Sequence, residues 1–289
     1  MESFCSVKLL FPSFSELRYN SYKKKQSMFK EKNVVIQLDT KTVYSFMDSL
    51  VPIKKYVQKA KDLGYSHLGM MDVDNLYGAY HFLEEAESAG LQPLLGLELS
   101  LIKAEQELHL RLLALDSQGY RNLMKVSTLK MMGQKNWEDF QHLFKGVAVI
   151  VPAFNGVADL DLGLDFYVGV FPATPKQEFG RPTLPLHTVR YFDRGDLETL
   201  QMLRAIRENA SLREIGSLPN HEFLLAPDAL AGAFKETFPE SLANLEKLVR
   251  HVHYDINREL KLPRFNRERP AVEELRERSE AGLKKRGLT

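Results

Sequence analysis

The chain has 289 residues, 44% of them hydrophobic and 27% charged, enough to bury one large core or two modest ones. Its single cysteine, Cys5, excludes a disulfide framework or a cysteine-based zinc site within one chain, and no apolar run approaches the roughly 20 residues of a bilayer-spanning helix. The net charge of +1 is uneven: residues 1–33 carry seven Lys/Arg against three Glu, leaving 34–289 at −3, without the basic excess that a DNA-gripping surface presents to phosphates.

In chain order, residues 1–33 show no clean periodicity and read as a floppy extension, with Met28 a credible alternative start. The basic run Lys23–Lys25 follows the short apolar patch Val7–Phe14 instead of preceding it, which argues against a secretory signal and for a cytoplasmic protein. The run itself reads as a solvated tail. From Val34 the pattern alternates strands and helices. Val34–Leu38 reads as a strand. Pro52 suits the first turn of a helix carrying Ile53, Tyr56, Ala60 and Leu63 on one face, with Gly64 as its stop. His67–Met71 is the next strand, Asp72–Asn75 a loop, and a helix follows with Leu76, Tyr80 and Leu83, ending at Gly90. Further strands are expected at Pro93–Ile102, Leu108–Leu115, Val147–Val151, Phe166–Phe171 and Thr183–Thr188. Helices are expected over 117–131, 137–143, 196–208, 239–250 and 271–286, with Asp196 as an N-cap. The proline- and charge-rich stretch Leu262–Pro270 reads as a linker. This alternation argues for an α/β fold with a largely parallel sheet, and leaves a barrel and an open sheet both open.

Several short motifs then occur in order: QLDTKTVYSFMDS (37–49), MDVDNLYGA (71–79), GLQPLLGLE (90–98), HLRLLALDSQGYRNLMKVSTL (109–129), and LPRF with AGLKKRG near the end. Together they resemble the N-terminal PHP (polymerase and histidinol phosphatase) domain of bacterial DNA polymerase III alpha subunits. The resemblance implies a distorted seven-stranded β/α barrel over 34–260. Residues 261–289 would then be a linker and the first helix toward a polymerase body, whose palm would begin just after residue 289. It implies a role in DNA replication within a DNA-directed DNA polymerase. The remainder of that subunit, DNA and other replisome subunits would be the partners, with no membrane. Mg2+ would belong to the palm, so no cofactor is expected here.

Active PHP proteins hold up to three metal ions on His, Asp, Glu and Cys residues, an anionic or neutral donor set that compensates the cations. Carried over by position, Asp72, Glu98 and His109 match the family pattern. Asp39 and Lys41 stand where the family has His-x-His, Val73 replaces a histidine, Ala153 a cysteine, and Thr188 and Arg190 the late Asp-x-His. A degenerate pocket with no catalytic residue follows, and with it a structural and interaction role. Two alternatives compete: a stand-alone metal-dependent phosphoesterase or 3'-5' exonuclease, and a DNA-binding module. The crowded carboxylates Asp39, Asp72 and Glu98 need cations in place of a metal, so Lys41, Arg190 or both should lie within about 4 Å of one of them. Arg190 is the stronger candidate because its planar fork suits a carboxylate. His251 and His253 read as surface histidines, since residues two apart on a helix do not face one way. Glu84, Glu85 and Glu87 read as a solvent face, and Trp137 as a packing anchor.

Overall fold

Seven strands hydrogen-bond in sequence order, β1 to β7, in a computed structural model that describes residues 36–256 and 268–288. They are β1 (Ile36–Gln37), β2 (His67–Val73), β3 (Gln92–Lys103), β4 (Gln106–Ala114), β5 (Val147–Pro152), β6 (Tyr167–Val170) and β7 (Thr183–Pro185). Each anticipated apolar run forms a strand, because β-branched and leucine-rich runs covered by helices on one side can bury both faces. All pairings are parallel except β3–β4 and β4–β5, so β4 runs against its neighbours. The reversal is made by a two-residue hairpin turn at Ala104 and Glu105, both at positive φ (47° and 66°), the backbone that matches strand twist.

The sheet curls until its ends meet. A parallel bridge joins Thr40 to Val189, with Lys41 N–H donating to Val189 O and Val189 N–H to Asp39 O, both at 2.9 Å. The Gln37 amide spans the same seam to His187 O at 2.8 Å. This closure makes the α/β sheet a distorted barrel.

Helices cover the outside: α1 (Ile53–Asp62), α2 (Ala79–Ala89), α3 (Ser117–Met131), the short α4 (Trp137–Phe140), α5 (Leu197–Glu208), α6 (Leu212–Ile215), α7 (Pro227–Lys235) and α8 (Pro239–Val249). In α1 the residues Ile53, Tyr56, Val57 and Ala60 are buried, and Pro52 sits just before the helix as its N-cap instead of within its first turn. The bounds of α3 agree with the sequence reading because Asp116 caps it, accepting from Gly119 N–H at 2.7 Å. Gly119 is required there, since a Cβ would fall 1.9 Å from Gly146 O. Asp196 stands at the N-cap position of α5, as expected, but its side chain makes no capping bond to that helix. Asp193 opens the turn before α5, and the Asp196 carboxylate reaches back to the N–H groups of Phe192 and Asp193, the reciprocal arm of a capping box. Helices α6 and α7 were not anticipated. Trp137 is buried, as expected, with its Nε1–H donated to Gln141.

The chain divides into two units, one ending at Tyr254 and one beginning at Asp255. The second holds α9 (Ala271–Lys285), with Arg278 bonded to Glu274 and Arg269 to Glu277. The extension read over residues 1–33 and most of the linker at Leu262–Pro270 lie outside the described residues.

Candidate functional site

The barrel gathers charge at one end because short polar segments follow its apolar strands. Asp39 and Lys41 lie just beyond β1, Asp72 near the end of β2, and Glu98 within β3, in register with Val73. Antiparallel pairing then sets Arg111 of β4 directly across from Glu98, with His109 across from Ser100.

These side chains form a closed ion-pair cage. Lys41 Nζ lies 2.6 Å from Asp39 Oδ1 and 2.9 Å from Glu98 Oε2. Arg111 Nε lies 3.2 Å from Asp39 Oδ2, and its Nη2 3.1 Å from Glu98 Oε2. Thr188 donates its hydroxyl to Asp39 Oδ2 at 2.7 Å. Asp39 and Lys41 have 0% exposure, a position that charged groups occupy only when paired. Two acids and two bases thus cancel in a place with little water. Glu98 Oε2 is held by charge alone, since neither cation is aligned with it as a hydrogen bond.

The protonation states follow. Burial pushes the Asp39 carboxyl up, but Lys41 and then Arg111 more than offset it and hold it at about 2. Glu98 is likewise raised by burial and lowered further by Lys41, by His109 beside it and by Arg111, ending well below the usual carboxylate range. Burial works against the Arg111 guanidinium, and Asp39 and Glu98 reverse that, raising it. His109, half-exposed with Nδ1 3.6 Å from Glu98, is raised by that carboxylate.

Asp72 stands apart from the cage. Its Oδ1 accepts from Thr42 N–H at 2.6 Å and Ser45 O–H at 2.7 Å, and its Oδ2 from Thr42 O–H at 2.6 Å. Burial raises its carboxyl, opposed by these three bonds.

The expected cation near the carboxylates is therefore present in Lys41, but Arg190 is not the second one. The backbone around Arg190 is taken up elsewhere, with its N–H donated to Glu222 O and its carbonyl accepting from Leu50 N–H. Its guanidinium turns to Asp48, with Nε 3.2 Å from Glu222. Asp48 also receives Arg204 at 2.9 Å and Arg207 at 3.2 Å. Truncating Asp48 to alanine leaves three guanidiniums without their shared anion. We expect a loss of about 1–3 kcal/mol in denaturant unfolding, because charged hydrogen bonds are lost at a site that water partly reaches.

Of the other residues in the anticipated pocket, Val73 is half-buried and gives its N–H to Ser45 Oγ at 3.2 Å. Ala153 follows β5, its N–H bonded to Gly169 O, and it shares no polar contact with the cage. His251 and His253 are exposed. Glu84 is exposed, whereas Glu85 and Glu87 are half-buried.

A PHP metal cluster does not fit this donor set. Among the described residues no three His, Cys, Asp or Glu side chains are placed to hold a metal ion. The carboxylates that could serve, Asp39 and Glu98, already clasp Lys41 and Arg111, and a divalent metal would compete with these cations for the same oxygens. Among the same residues, no helix is long and apolar enough to cross a membrane.

Comparison with known proteins agrees with the sequence motifs. Residues 37–171 match the PHP domain family. Over 254 residues, 87% of this chain, the sequence is 45% identical to DNA polymerase III subunit alpha of Streptococcus pyogenes serotype M1. It is 33% identical over 108 residues, 34% of this chain and 9% of the relative, to the subunit of the same name from Borreliella burgdorferi. The chain spans about a quarter of the length of the serotype M1 relative and of another from Streptococcus pyogenes. Among solved structures, an amidohydrolase from Chromobacterium violaceum aligns with TM-score 0.36 and 11% identity, over 61% of this chain and 84% of that one, a likeness that says nothing of chemistry.

Proposed function

Because this chain carries a PHP domain homologous to the N-terminal region of DNA polymerase III subunit alpha, we propose that it serves DNA replication as a structural and interaction module of a DNA-directed DNA polymerase, with no hydrolytic chemistry of its own. The observation that carries this reading is the cage: Lys41 and Arg111 fill the charge role that metal ions would need Asp39 and Glu98 to accept. Metal-dependent hydrolysis requires a cation that binds and activates water. A lysine and an arginine locked between two carboxylates hold no water in that way.

Nucleotide addition, with its Mg2+, would belong to the part of the relatives that lies outside the matched quarter. So would contacts with DNA and other replisome subunits, in the cytoplasm. The −3 balance of residues 34–289 fits a module that leaves most phosphate binding to other parts.

The test is enzymatic. The purified chain should show no manganese- or zinc-dependent phosphatase or exonuclease turnover above buffer. Turnover that disappears in Asp72→Asn of the same preparation would overturn the reading, because contaminating activity would survive that substitution.

A further inference from the structure

The turns that follow β1 and β2 carry an exposed aromatic cluster at the barrel mouth. Val43, Tyr44 and Phe46 stand on the first turn, and Tyr77 and Tyr80 on the second and the start of α2. Phe46 is 73% exposed and Tyr77 64%. The two turns touch: a Cβ on Gly78 would fall 2.6 Å from the Tyr44 ring and 3.0 Å from Ile53 at the start of α1. The glycine therefore lets the Tyr44 ring lie on the turn that carries Tyr77. Single exposed apolar side chains are ordinary, but a contiguous group marks an interaction surface.

The cluster stands on a rigid base. Thr42 and Ser45 donate to the buried Asp72 carboxylate, and Tyr44 O accepts from Asn75 Nδ2 at 3.1 Å. Asn75, itself buried, also holds the second turn, its Oδ1 accepting from Tyr77 N–H at 3.1 Å. Aromatic side chains fixed on such a base lose little freedom on meeting a partner. The surroundings are positive. Helices α1 and α2 both begin at this rim, neither has an acidic residue in its first turn, and neither receives a side-chain capping bond. Their N-terminal dipoles stand uncompensated, with Lys54 and Lys55 exposed beside them. The acids of the two turns are engaged elsewhere, Asp48 by three arginines and Asp74 by Ser100 and by Lys130 at 3.6 Å.

We infer that this rim docks an acidic peptide segment of a protein partner, whose apolar side chains seat on Tyr44, Phe46 and Tyr77 and whose carboxylates face Lys54 and the two helix N-termini. Complementary charge across such a contact sets partner choice. A second copy of the rim would bring like charge against like. A nucleic-acid strand needs a groove of cations that tracks its phosphates, whereas the rim offers Lys54 and Lys55, and Lys55 lies over the Phe192 ring at 4.9 Å. The inference rests on the interaction role proposed above, and the two fail separately. Hydrolytic turnover would sink that role, whereas a chain without turnover that selects no acidic peptide sinks only this assignment.

The probe is a library of random peptides displayed on phage and selected on the intact chain at about 0.15 M salt, where diffuse attraction is screened. Recovered peptides should carry Asp or Glu beside Leu, Ile, Phe or Trp. Made synthetically, they should bind Phe46→Ser and Lys54→Glu each about tenfold or more weakly than the unaltered chain, the loss expected of a central anchor or of a reversed charge. Both positions are exposed, so the unfolding midpoint should stay unchanged in either variant, which separates lost docking from lost fold. No enriched peptide, peptides without acidic residues, or equal binding to both variants would overturn the assignment. So would a labelled oligothymidylate that binds the chain and is lost in the same two variants, since the rim would then serve single-stranded nucleic acid.

Discussion

Replacing Lys41 by methionine should lower the unfolding free energy by about 3–5 kcal/mol at pH 7, the cost of stripping one partner from a buried ion pair. Lys41 has no exposed surface and touches both Asp39 and Glu98. Without it, two buried carboxylates share Arg111 alone, and one charge is left uncompensated where water cannot reach it. A loss of that size is a large part of the roughly 5–15 kcal/mol that holds a domain folded. Two features separate this cause from simple loss of packing. First, adding Asp39→Asn to Lys41→Met should restore much of the stability, since a neutralised pair removes the unmet charge. Second, the deficit of the single variant should shrink at acid pH, because protonating Asp39 relieves the same imbalance. Denaturant melts of the unaltered chain, Lys41→Met, Asp39→Asn and the double variant at two pH values measure both. A deficit equal at both pH values and unrescued by Asp39→Asn would mean that Lys41 acts as a space-filler.

Acid should weaken the domain in two stages. His67, buried at the start of β2, is pushed down by burial to about 4, with Glu246 opposing. A histidine whose folded value lies below its unfolded one gives stability that is complete above the unfolded value and is lost as pH falls toward the folded one. The window is therefore from about 6.5 down to about 4, and a displacement of that size corresponds to the order of 3 kcal/mol. His187, also lowered by burial, acts in the same direction. Asp39 is the second stage. Its carboxyl is held at about 2, so its contribution is lost as pH drops from about 4 through 2. Asp72, raised by burial, opposes this trend by taking up its proton more readily when folded. In equilibrium melts, His67→Gln should flatten the slope between pH 6.5 and 4, leaving the part due to His187. A slope unchanged in that variant would show that His67 is not the group that titrates.

Most of the fold was legible because the strands are buried on both faces and so stand out as apolar runs. The direction of β4 was hidden, since its hairpin places Ala104 and Glu105 at positive φ, where a sequence reader looks for Asn-Gly or Asp-Gly. That hidden reversal is also why Arg111 was missed. Only the antiparallel register sets Arg111 opposite Glu98. A cue was available, because Arg111 lies two residues beyond His109 and so shares its strand face. Lys41 was reached through the family resemblance, which sets it with Asp39 where the family has His-x-His. Arg190 misled because its neighbour Thr188 does face the cage, yet the chain leaves the seam at Val189 and carries Arg190 to Asp48. Charge bookkeeping gave the right requirement, a cation among the carboxylates, without the right second residue. Helix α7 opens with Pro227 and Asp228 in the manner of a helix start, a signal present in the sequence and not used.

Lys41 and Arg111 occupy the carboxylates that a bound metal would have to take, and the proposed role rests on that occupancy. Its most direct test is the metal content of the intact chain, measured by plasma mass spectrometry after equilibration with Mn2+ and Zn2+ and removal of the excess. The cage requires a content well below one ion per chain, unchanged by Glu98→Gln. One or more ions retained per chain, and lost in Glu98→Gln, would contradict it.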